Sequence, residues 1–259
     1  MSDSSGPQRP RDRLTLSIHV PKTAGTRFSD VLRHHYGSAC AFYYGADDER
    51  THPDLRVPLR DFSGAHFDAL AENGIEVVHG HMPARALMGV FPDPKQYWLF
   101  LREPIEHALS RYHFVRDRDP EAGLTKAIAS GGGTLESYIA LPRSQNFQSQ
   151  YIQPLDIREV GFVGVTEMFE AMLTLLDLSD TSKKANVNAQ KPIAPLDERE
   201  ILSPHLTKDL ALYSLALELA VRRLGLRDIN RLSRYKANVA RLARRFGAQG
   251  GSVADGASK

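Results

Sequence analysis

The feature that most constrains this chain is the apolar run Leu14 to Val20, followed at once by Pro21-Lys22-Thr23-Ala24-Gly25-Thr26-Arg27. Seven residues suffice for one buried strand. After the turn, Phe28, Val31, Leu32 and His35 recur at i, i+3, i+4 and i+7, which is the period of a helix. Strand, tight loop and helix in that order begin a βαβ unit and direct the chain to an α/β fold. The loop gathers backbone N–H groups, two hydroxyls and one ammonium at the positive end of a helix. That composition suits a phosphate or a similar anion.

A second segment has the same build. Gln96 to Leu101 is an apolar strand ending in Arg102-Glu103-Pro104, and Pro104 suits the first turn of a helix. Ile105, Ala108, Leu109 and Tyr112 then share one helical face, with Ser110 and Arg111 off it. Further strands are expected at Ile75–His79 and Gly161–Val165. Helical pattern lies between the strands, which predicts a parallel sheet with helices on both faces. Residues 36 to 62 show no period and read as a long irregular loop, either an acceptor-binding element or a solvated excursion. Gly131-Gly132-Gly133 marks a turn between helices. Helical stripes over 167–178 and 206–224 read as core.

Composition bounds the rest. With 259 residues, 42% hydrophobic and 25% charged, the chain is long enough for one globular domain with a full core. The single cysteine, Cys40, excludes a disulfide framework or a cysteine-based metal site within one chain. No stretch approaches the ~20 apolar residues of a membrane span, and Met1 to Arg13 has no apolar h-region, so a cytoplasmic protein is expected. Residues 1–12 and 247–259 are expected to be disordered. Residues 227 to 245 carry seven Lys or Arg and one Asp; against a whole-chain charge of +2, this leaves residues 1 to 226 at −4. An anion must then be held by a few local cations rather than a basic surface, and no nucleic-acid partner is expected. The basic helix at 227–246 reads as a packed helix with a solvated face, or as a weak peripheral membrane contact.

The spelling of the first loop narrows the reading. Lys22 precedes Gly25 and no Gly-Lys-Ser/Thr follows, so the loop is not written as a nucleotide-triphosphatase loop. Pro21 to Thr26 resembles the 5′-phosphosulfate loop of sulfotransferases that use 3′-phosphoadenosine 5′-phosphosulfate (PAPS), in the carbohydrate, heparan sulfate 2-O-sulfotransferase-like branch. Leu101 to Tyr112 resembles the 3′-phosphate segment of the same family, departing from it at His107, where Arg is common. Weaker echoes follow at Ser144–Tyr151, at Phe162–Glu170, and at Asn186-Val187-Asn188 with Lys191. The resemblance spans about residues 14 to 225.

The resemblance implies a three-layer, P-loop-like α/β fold over residues 13–226, followed by a C-terminal helical extension. It implies that Pro21, Lys22, Thr23, Ala24, Gly25, Thr26 and Arg27 hold the 5′-phosphosulfate, and that Arg102 and Ser110 hold the 3′-phosphate. Asn188 and Lys191 would cover the nucleotide, and Lys22 would also act on the leaving oxygen. The reaction implied is sulfuryl transfer from PAPS to a hydroxyl, with a saccharide acceptor, 3′,5′-ADP as product and no metal. For the base, the strand at Ile75 runs into His79-Gly80-His81, which resembles the histidine segment of glycosaminoglycan 2-O-sulfotransferases. His81, further out on the loop, is favoured; His79 is the alternative, and Asp48 the next candidate. A binding protein of the same fold without turnover, and a P-loop kinase, remain the other readings.

Overall fold

The computed structural model describes residues 9–117, 123–179 and 194–225. In chain order, the elements are β1 (Thr15–Ile18), α1 (Gly25–Tyr36), β2 (Cys40–Tyr43), α2 (Gly64–Glu72), β3 (Val77–Gly80), α3 (Ala84–Leu87), β4 (Tyr97–Leu101), α4 (Pro104–Arg116), α5 (Gly123–Ser130), α6 (Leu135–Ile139), α7 (Phe147–Ile152), β5 (Phe162–Val165), α8 (Phe169–Thr174), α9 (Leu196–Leu202) and α10 (Thr207–Arg223). The chain is α/β. A five-stranded sheet, ordered β2-β3-β1-β4-β5 and parallel throughout, is flanked by helices. Among the described residues, no helix is long and apolar enough to cross a membrane.

Buried parallel strands have no solvated face, so they read as continuous apolar runs. Leu16, Ile18, Val78, Leu99 and Leu101 are all nearly or fully buried. The register Ser17↔His79 and Phe42↔His79 places these three side chains in one row on one sheet face. Phe28 of α1 packs there, 5.7 Å from the His79 ring and 4.9 Å from Phe100. Tyr43 alternates to the other face and meets Phe62, which meets Phe67 of α2. Helices therefore cover both faces.

The described residues fall into two compact units where the sequence suggests one domain. Residues up to 102 and from 148 to 179 carry the sheet. Residues from 103 to 147 and from 194 to 225 form a helical unit with its own core, including Ile105, Leu109, Tyr138, Leu202 and Leu210.

Other expectations are corrected locally. Residues 36–62 are not one loop: Cys40–Tyr43 is an edge strand, all four residues buried, and too short to show a period. Residues 10–12, expected to be disordered, lie in a 3-10 turn, and Arg11 pairs with Asp68 of α2. Arg111, off the apolar stripe of α4, is buried. Asn188, Lys191 and the basic segment 227–246 lie outside the described residues.

Candidate functional site

The loop between β1 and α1 is held in a costly shape. Lys22 and Ala24 have φ of 75° and 63°, left-handed values that cost a non-glycine residue about 1–3 kcal/mol each. Thr23 braces the turn: its N–H and its hydroxyl both donate to the Val20 carbonyl, at 3.3 and 2.8 Å. With Thr23 only 2% exposed, that hydroxyl serves the loop rather than facing outward. Pro21 is half-buried, and Thr26 is exposed on the first turn of α1. Arg27 donates to Glu170 at 2.7 Å, and its guanidinium lies 4.5 Å from the Phe169 ring centroid.

The loop sits where the strand order reverses. β1 continues to β2 on one side of the sheet and β4 continues to β5 on the other, so the ends of β1 and β4 flank the crevice in which α/β sheets bind ligands. Arg102 follows β4 directly, and its Nη1 donates to the Lys22 carbonyl at 3.3 Å. The two segments read as phosphate-binding thus touch, although 80 residues separate them. Ser110 lies on α4 in the helical unit and is half-buried. Glu103 caps α4 by accepting the Glu106 N–H at 2.8 Å.

The weaker echoes acquire local roles. Gln148 accepts the Arg102 N–H and donates to the Arg102 carbonyl, both at 2.9 Å. Asn146 accepts the Lys208 and Asp209 N–H groups, at 2.8 and 3.1 Å, and so caps α10. Thr166 ties the end of β5 to the Leu101 carbonyl at 3.1 Å.

Beside the loop, three imidazoles meet. His79 is 1% exposed, with Nδ1 2.8 Å from the Ser17 hydroxyl. His19 stacks on His79 at 5.2 Å between ring centroids and lies 4.5 Å from His81. The His19 and His79 rings stack, the His81 ring is tilted at 45° to His19, and no group of three His, Cys, Asp or Glu among the described residues is placed to hold a metal ion.

Two glycines make this packing possible. A Cβ on Gly25 would fall 1.7 Å from His19 Nε2, so the glycine of the loop leaves room for the imidazole. A Cβ on Gly80 would fall 1.9 Å from the Tyr43 carbonyl oxygen, so His-Gly-His passes close to β2 only because its middle residue has no side chain.

Burial sets the charge of the cluster. It pushes His19 down to about 2, with His79 and His81 adding to the effect, and His79 down to about 3, with His81 adding and the Gly25 backbone opposing. His81 is lowered by burial and then by the Arg50 guanidinium, against the pull of Asp48. All three are therefore neutral at pH 7, and half-buried His81 is the one open to an incoming proton. Asp48 is bound by Arg50 through both oxygens, at 2.9 and 2.6 Å, which holds its carboxyl at about 2 and makes it a poor base.

A cleft of about 240 Å³ opens over this cluster, lined by His19, His81, Tyr44, Thr26, Arg33 and Arg50 among others. A larger hollow of about 470 Å³ lies near Thr15, Val77 and Trp98, towards the amino ends of the strands and away from these loops. The smaller cleft is the one at the carboxyl rim, where α/β chemistry is sited.

Sequence reasoning gave His19, Arg33 and Arg50 no role. His19 stood inside the most informative stretch, but its partners are some sixty residues away. A polar stripe at Thr26, Asp30 and Arg33, opposite the Phe28-Val31-Leu32 face of α1, was the available signal for this cleft wall. No family model, curated protein or solved structure matches the chain.

Proposed function

We propose that the chain is a PAPS-dependent sulfotransferase acting on a hydroxyl, with a saccharide as acceptor. The observation that supports this best is the hydrogen bond from Arg102 Nη1 to the Lys22 carbonyl, which joins the two phosphate-like segments at the reversal point of a parallel sheet. The donor set fits a nucleotide carrying two phosphate groups: a P-loop-like turn with two left-handed residues at a helix start, a lysine, and an arginine fork from the next strand. Arg27 fits less simply, because its fork is already on Glu170.

PAPS would supply a sulfuryl group on a phosphate that can leave as an anion. Lys22 would stabilise the charge developing on the departing oxygen. His81, neutral at pH 7 and on the wall of the cleft, would take the acceptor's hydroxyl proton as its oxygen bonds to sulfur. Arg33 and Arg50, also on that wall, would orient the acceptor.

Thermal shift with the product nucleotide tests the assignment. At ~100 times its dissociation constant, 3′,5′-ADP should add about 2.7 kcal/mol of stability without Mg²⁺. A shift with ATP and Mg²⁺ but none with 3′,5′-ADP would overturn the reading in favour of a kinase. Binding of 3′,5′-ADP with no sulfate transfer to any hydroxyl would favour a nucleotide-binding protein without turnover.

A further inference from the structure

Gln148 stands out among buried polar side chains that do not face the cleft. It is 1% exposed, and both ends of its amide bond one residue's backbone. Its Oε1 accepts the Arg102 N–H and its Nε2 donates to the Arg102 carbonyl, each at 2.9 Å. One planar amide thus closes a two-bond ring on one residue's backbone, as a neighbouring strand would. Arg102 lies just beyond the last residue of β4, where the sheet no longer holds it. Its guanidinium then reaches the carbonyl of Lys22, the residue at φ 75°.

We propose that Gln148 is a positioning residue: by fixing the Arg102 backbone it aims the guanidinium and braces the left-handed turn at Lys22, so that loop and arginine form one preorganised nucleotide site. This rests on the sulfotransferase reading for the identity of the anions, a 5′-phosphosulfate on the loop and a 3′-phosphate on Arg102, but not for the brace itself. A left-handed lysine relaxes unless its surroundings hold it. The Arg102 donor on its carbonyl is one such restraint, and it acts only if Arg102 is itself held. Preorganisation of this kind raises affinity by removing the cost of ordering the site on binding.

The test uses Gln148→Met, similar in length but without the amide, and Gln148→Glu, which keeps an acceptor for the Arg102 N–H and loses the donor to its carbonyl. Affinities for 3′,5′-ADP and 5′-AMP are measured by calorimetry, alongside Arg102→Ala and the Gln148→Met/Arg102→Ala double variant. Backbone amide exchange is followed without ligand. Gln148→Met should lower the preference for 3′,5′-ADP over 5′-AMP by about tenfold, with Gln148→Glu between it and wild type. The double variant should be no worse than Arg102→Ala alone, because the two residues act as one unit. Exchange should quicken at Arg102 and also at Thr23, inside the braced turn. Equal weakening of both nucleotides, multiplicative losses in the double variant, or faster exchange at Arg102 with Thr23 unchanged would each overturn the proposal.

Two results separate this idea from the functional reading. If wild type shows no preference for the 3′-phosphate, the sulfotransferase reading fails, and the brace is still decided by exchange at Thr23. If Gln148→Met does not fold, Gln148→Glu carries the same comparison.

Discussion

Two buried polar clusters, one in each unit, are assembled on opposite principles. In the helical unit Arg111 is only 9% exposed, yet its guanidinium lies 3.3 Å from the Phe147 ring centroid and its Nη1 is 3.4 Å from the Tyr138 hydroxyl. Nearby, Glu103 and Glu106 face Arg199 at 3.9 and 3.6 Å, and Glu106 also accepts the Ala194 N–H at 3.0 Å. Buried charge there meets a ring, a hydroxyl or an opposite charge. In the sheet unit three imidazoles are pressed together, and among the described residues His19 Nδ1 is buried without a hydrogen-bond partner. Two of those rings are held far below the usual histidine range. Burial alone therefore does not mark a site. Matched buried charge holds a fold together, whereas titratable groups packed against one another beside a cleft are candidates for chemistry.

Removing one member of each cluster should have different consequences. His81→Ala should lower sulfate transfer by ~10²–10⁴-fold, the scale of a lost general base, while 3′,5′-ADP affinity stays intact. The acid limb of the wild-type rate profile should lie below the ordinary histidine value, because burial and Arg50 favour the neutral ring and the base works only while neutral. Near-normal transfer by His81→Ala would remove the chemistry from this cluster. Asp48, pinned by Arg50, would not be the replacement.

Arg111→Met should act on the fold. Loss of the buried cation should cost on the order of 3 kcal/mol in denaturant unfolding, with the pH–rate profile unmoved. A shifted profile with little loss of stability would mean that the second cluster also belongs to the chemistry.

The smallest effect is the acid dependence of stability. His19 and His79 titrate near 6.5 when unfolded and at about 2 and about 3 when folded. Between those values the unfolded state binds the extra protons, so stability falls as pH falls from about 6.5, by up to about 1.4 kcal/mol per pH unit for each histidine. His19→Gln should flatten that slope and Arg111→Met should not. An unchanged slope in His19→Gln, measured by urea unfolding between pH 7 and 5, would show that His19 takes up a proton in the folded state.

Much of the frame was legible. β1, β4 and β5 fall within the apolar runs that mark them, and β3 overlaps its run and ends one residue later at Gly80, because a strand buried on both faces must be apolar along its length. β2 was not, because four buried residues between irregular segments carry no period. The site was legible in halves. Lys22 and Arg102 were readable from their local settings, a strand end followed by a helix start. Gln148, His19 and Asn146 were not, since each takes its role from distant partners: the Arg102 backbone, the two histidines at the end of β3, and the first turn of α10.

The sequence by itself determined the strand–loop–helix that carries Lys22 and Thr23, because strand runs, turn residues and helix periods act between neighbours within a few positions. It also determined that a histidine pair would stand around a glycine at the end of β3. Only the tertiary structure decided which of these groups meet. The Lys22–Arg102, Ser17–His79 and Arg102–Gln148 contacts span 80, 62 and 46 residues. The first two depend on the strand order β2-β3-β1-β4-β5, which sets β1 between β3 and β4 and brings the ends of all three to one rim; the third depends on where α7 packs against the end of β4.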